Sequence, residues 1–116
     1  MASEFQTLIE SLTRLALDAD ARIAELGATA DVARHRELRA EVKEIERKLE
    51  GALARARLVA EEQDSEGEKG AMLSRLRSHQ ESLARLAAEL RAATVQSRAA
   101  IDKADASARE DLFSGG

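Results

Sequence analysis

Residues 37–60 read ELRAEVKEIERKLEGALARARLVA. Leu38, Val42, Ile45, Leu49, Ala52, Leu53, Ala56, Val59 and Ala60 recur mainly at steps of three and four, the spacing that keeps apolar side chains on one face of a helix. Charged residues fill the other face. Glu44 and Lys48 are a favourable i,i+4 pair, whereas Glu37–Glu41, Lys43–Arg47 and Glu46–Glu50 set like charges together, so the electrostatic support is partial. Gly51 lies inside the pattern and costs about 1 kcal/mol against Ala. It reads as a tolerated weak point or a close-packing position, and the helix is expected to run through it. With Thr29 or Asp31 as N-cap, this segment is predicted over residues 31–63.

The same period appears on either side. Upstream, Phe5, Leu8, Ile9, Leu12, Leu15, Ala16, Ala19, Ile23 and Leu26 mark a helix over residues 3–26. Ser3 is placed to cap it, Glu4 and Glu10 lie near the positive end of its dipole, and Gly27 stands where a C′ glycine belongs. Downstream, the acidic, Gly-flanked stretch EEQDSEGEKG at 61–70 reads as a loop of about six residues. A third helix is predicted over 69–110, with the stripe Met72, Leu76, His79, Leu83, Leu86, Ala87, Leu90, Thr94, Ser97, Ile101, Ala104 and Ala108. That stripe turns small and polar after Leu90, so the core there is expected to be thin or completed by a partner. Leu112 and Phe113 lie near the end, and residues 114–116 are expected to form a flexible tail.

Composition agrees. Ala, Leu, Glu and Arg, all strong helix formers, dominate the 116 residues, and Pro is absent. The expected fold is all-α: an elongated antiparallel three-helix bundle over residues 1–113. The first helix would span roughly 35 Å and the other two roughly 50 Å. Hence the later helices should overhang the first, from about Gly51–Arg57 in the second and after Leu90 in the third. A continuous coiled-coil rod is the competing architecture, and Gly27 and the Gly67–Gly70 break argue against it.

The chemical inventory is sparse. Without Cys there is no disulfide framework, thiol nucleophile or Cys-based zinc site. The chain has two His. His35, within Ala33-Arg34-His35-Arg36, reads as a surface residue, and His79 as a core-edge residue holding a hydrogen bond. Gly67-Glu68-Lys69-Gly70 lacks the spacing and the preceding strand of a phosphate loop. Arg34, Arg36 and Arg39 form a basic cluster without aromatic residues, read as a solvated helix face. Neither enzymatic activity nor a cofactor or metal is expected. A net charge of −4 disfavours nucleic acid or an anionic membrane as the main partner, and no apolar run is long enough to span a bilayer. The better clue is outward-facing aliphatic residues. On helical geometry Leu17, Leu58 and Val95 lie off their stripes, and with Leu73 they are candidate partner contacts.

From the loop onward the residues become more specific. Ala60-Glu61-Glu62-Gln63-Asp64-Ser65-Glu66-Gly67-Glu68-Lys69 resembles the A-K-E-Q-D-x-E-S-E-K stretch of the Sec-twenty family, the ER-resident Qb-SNARE subunits. Met72-Leu73 through His79 and then Leu90-Arg91-Ala92-Ala93 continue in the same register. Ala100-Ile101-Asp102-Lys103-Ala104 is similar to the family's A-I-D segment, and Asp111-Leu112-Phe113-Ser114-Gly115-Gly116 to its E-L-L-x-G-G ending. The resemblance covers residues 38–116, most closely 60–69 and 90–116. It implies a regulatory three-helix domain of the Habc kind, with the family's SNARE motif and membrane anchor absent from this fragment. It further implies docking to a helical subunit (Tip-twenty or RINT type) of a Dsl-type tethering complex in Golgi-to-ER retrograde transport. Cognate SNAREs would be engaged through the absent motif, at the cytosolic face of the ER. The fragment itself is expected to be a soluble monomer. A self-associating structural coiled coil is the alternative function, and a membrane-surface or nucleic-acid helix is a weaker third.

Overall fold

The computed structural model describes residues 3–114, with side chains to Phe113. Among them, all regular structure is helical: α1 Glu4–Ala28, α2 Val32–Glu61 and α3 Glu66–Ser114. At 25, 30 and 49 residues, these helices measure roughly 37, 45 and 73 Å.

Each start has a local cause. The Ser3 hydroxyl accepts the Gln6 N–H at 3.1 Å and opens α1. The Asp31 carboxylate accepts the N–H groups of Ala33 and Arg34 at 2.9 and 3.3 Å and opens α2. Thr29 does not cap α2. It ends α1 in extended conformation, and its hydroxyl accepts the Asp31 N–H at 3.2 Å. Ser65 accepts the Glu68 N–H at 3.3 Å at the head of α3, where Glu66 and Glu68 complement the dipole. The α2–α3 loop therefore spans only residues 62–65, and α3 begins ahead of the expected Lys69.

Every helix packs against the other two. Ion pairs Glu4–Arg55 at 2.7 Å, Arg22–Glu41 at 3.1 Å and Glu25–Arg34 lay α2 antiparallel to α1. Arg75 donates to Gln6 at 3.3 Å near the start of α1, and Gln96 approaches Gly27 near its end, so α3 runs parallel to α1. The result is an up-down-up bundle measuring 77 × 22 × 15 Å. Leu12, Leu26, Leu38, Val42, Leu86 and Ser97 are the largest of its fully enclosed side chains. Each buried Leu or Val contributes about 1.5–3 kcal/mol.

Four expectations need correction. Gly27 is not a C′ glycine: it lies inside α1 with no positive φ. Its lack of a side chain serves packing instead, because a Cβ there would stand 3.7 Å from the Ala93 Cβ and 3.2 Å from Gln96 Oε1. The second half of α2 does not overhang. Since α1 begins beside Arg55, Leu53, Ala56 and Ala60 are buried. Overhang is confined to α3 and begins after Ile101, not after Leu90, because Ala93 and Ser97 still pack inward. Of the expected tail, Ser114 belongs to α3, while Gly115 and Gly116 lie outside the described residues.

Candidate functional site

Leu17, Leu58 and Val95 are 64%, 53% and 69% exposed. Leu73 is not outward-facing. It packs beside Met72 and Leu76 against the core, since the first turns of α3 bury a broad face. The three exposed residues are not gathered. Leu17 is halfway along α1, Leu58 lies level with the start of α1, and Val95 lies level with its end. These levels are more than ~10 Å apart along the bundle. Among the described residues the most exposed large apolar side chains are Leu112 and Phe113, on a stretch of α3 whose residues 102–113 are all exposed. On the α1–α3 side, Ala24, Gly27, Ala28, Ala92 and Ala93 floor a shallow open groove of about 460 Å3.

Polar chemistry concentrates at the end of the bundle where α1 turns into α2. The Ser97 hydroxyl donates to the Thr29 carbonyl at 2.8 Å and lies 2.7 Å from His35 Nδ1. A hydroxyl has one proton, so with it given to Thr29 the second bond runs from Nδ1–H to Ser97 Oγ. That selects the Nδ1–H tautomer and leaves Nε2 a lone-pair acceptor, enclosed and without a partner. His35 is thus a buried residue, 5% exposed, and not the surface residue its basic neighbours suggested. The overlooked signal is spacing: His35 extends the stripe Leu38, Val42, Ile45, Leu49 backwards by a step of three. Burial pushes its pKa below the ordinary value, helped by the charges of Arg39, Arg98 and Arg36. His79 is half-buried, also with a lowered pKa from burial and from Arg75, and has no hydrogen-bond partner among the described residues.

The same imidazole forms part of the wall of a cleft of about 180 Å3 between α2 and α3. Arg36 and Arg39 line it from α2, and Arg98 and Asp102 from α3. None of these guanidiniums lies within ion-pair distance of a carboxylate among the described residues. Arg34, grouped with them in sequence, points elsewhere. It bridges Glu25 and Glu37, and its hydrogen bond to Glu25, helped by its charge and that of Arg22, holds the Glu25 carboxyl below its usual range. Arg98 joins the cluster only through the register of α3, which nothing local in the sequence announces.

Among the described residues no group of three His, Cys, Asp or Glu side chains is placed to hold a metal, and no helix is long and apolar enough to cross a membrane. The class defined by this fold is a three-helix bundle domain. No family model matches the chain, and neither a curated protein nor a solved structure matches it.

Proposed function

We propose that this bundle is the N-terminal docking domain of an ER SNARE of the Sec-twenty type. It binds a helical subunit (Tip-twenty or RINT type) of a Dsl-type tethering complex during Golgi-to-ER retrograde transport, at the cytosolic face of the ER, without enzymatic activity. The observation that carries the reading is α3, which leaves the bundle after Ile101 as an exposed helix ending in Leu112 and Phe113. In the resemblance noted above, this end leads toward the SNARE motif. An exposed helix and a groove floored by Ala and Gly both suit packing against a partner helix, with apolar anchors inside a polar rim.

Titration calorimetry against the purified tether subunit tests the proposal. A saturable one-to-one heat is the expected outcome; no heat with both proteins folded removes the tether as partner. Exposed Leu112 and Phe113 also favour a second reading, self-association through α3. Equilibrium sedimentation separates the two. The docking domain stays near its 12.6 kDa monomer mass, and the self-associating module doubles it.

A further inference from the structure

The cleft between α2 and α3 collects three guanidiniums in a chain whose net charge is −4. Elsewhere on the bundle several arginines meet carboxylates, Arg22 with Glu41, Arg34 with Glu25 and Glu37, Arg47 with Glu44 and Arg55 with Glu4, while Arg14, Arg77 and Arg91 stand singly outside any cleft with the others. Within this cleft no guanidinium meets a carboxylate among the described residues, although Asp102 stands on the same wall. Like charges contributed by two helices to one cleft raise its local positive potential and favour an anion there.

We propose that this cleft binds a phosphate monoester group, either free or carried on a lipid headgroup. The inference is independent of the docking reading. A tetrahedral phosphate presents acceptor oxygens in several directions, so it can take guanidinium forks from Arg36 and Arg39 on one side and Arg98 on the other. A planar carboxylate is matched by a single fork. The cleft's 180 Å3 equals about six waters at ~30 Å3 each, which is room for one phosphoryl group with its ester substituent at the mouth. Asp102 opposes the ligand through its own charge and sets an upper limit on affinity.

The test titrates the full isotope-labelled chain with sodium phosphate, at ionic strength held constant with sodium chloride. It follows the guanidinium and amide signals of Arg36, Arg39 and Arg98. Saturable shifts confined to the cleft are expected. Arg39→Gln and Arg98→Gln each weaken binding roughly fivefold, and the double variant abolishes saturation. Asp102→Asn tightens binding, and Arg77→Gln, exposed outside the cleft, leaves it unchanged. The cleft arginines are themselves exposed, so these substitutions leave the bundle folded, which a thermal melt checks. A flotation arm uses phosphatidylcholine vesicles with and without a phosphatidylinositol monophosphate. Flotation that needs the phosphoinositide and is lost in the double variant assigns the lipid source, whereas saturable phosphate binding without flotation assigns a free monoester. Shifts that grow linearly, or that match those of the double variant, together with flotation insensitive to these arginines, overturn the proposal.

Discussion

Ser97 stands at a core position where a bundle ordinarily places an aliphatic residue, and its hydroxyl is committed twice, to the Thr29 carbonyl and to His35. Ser97→Ala leaves the half-buried Thr29 carbonyl and the buried His35 N–H without this partner, so urea unfolding should show a loss of about 2 kcal/mol. A loss near zero would mean that water replaces the hydroxyl. The imidazole adds a pH dependence. Its folded pKa is lowered, while in the unfolded chain it returns to about 6.5. Between those values the unfolded chain binds the extra proton. Stability is therefore full above about pH 6.5, falls as pH drops below that, and levels off once pH passes beneath the folded value. His79 acts in the same sense. The urea midpoint should fall between about pH 7.5 and pH 5.5, and fall less in His35→Asn, whose amide can keep the bond to Ser97. The glycines part company. Gly51 faces open space, so Gly51→Ala should raise stability by about 0.5–1 kcal/mol in the same assay. At Gly27, the nearest atom is the far end of the Gln96 side chain, so a methyl asks Gln96 to shift.

At the scale of the element, α3 is tied to the bundle by polar contacts at two levels: Arg75 with Gln6 and the Phe5 ring near the start of α1, and Ser97 with Thr29 and His35 near its end. These ties lie roughly 33 Å apart along α3, and together they oppose a slip of one turn. Beyond Ile101 every described side chain, through Phe113, is exposed. Ending the chain after Lys103 should leave the unfolding free energy within about 0.5 kcal/mol of the full chain. A larger loss would show that the extension folds back onto the bundle. Much of this architecture was legible. Stripes at steps of three and four marked three helices, and Ser3 and Asp31 marked two starts, because capping and amphipathicity are local properties. What stayed hidden depended on register. Gly27 looked like a terminator until Ala93 and Gln96 were seen against it, and Thr94 looked inward although Ala93 takes that place. His35 looked polar by its neighbours when its spacing was the better guide. Arg98 could not be grouped with Arg36 and Arg39 from their separation in the chain, since only packing brings them to one cleft.

As a whole molecule, the protein is a narrow bundle carrying an exposed helical extension, 77 Å in its longest dimension. A core of this size is modest, so burial of apolar surface by a partner would add to stability through mass action. The surface ion pairs between α1 and α2 do little for stability, each contributing about 0–1 kcal/mol, but they orient the two helices. Among the described residues, large exposed apolar groups are scattered along the bundle at Leu17, Val32, Leu58 and Val95 and adjacent in sequence at Leu112 and Phe113. A docking partner that packs along α3 would therefore leave its mark on the extension first. Amide hydrogen exchange, recorded on the chain alone and with saturating tether subunit, tests this most directly. The account predicts slow exchange across the packed helices, fast exchange over residues 102–113 in the free chain, and new protection there once one equivalent of tether subunit is bound. Exchange left unchanged along the whole chain by the tether subunit would contradict it.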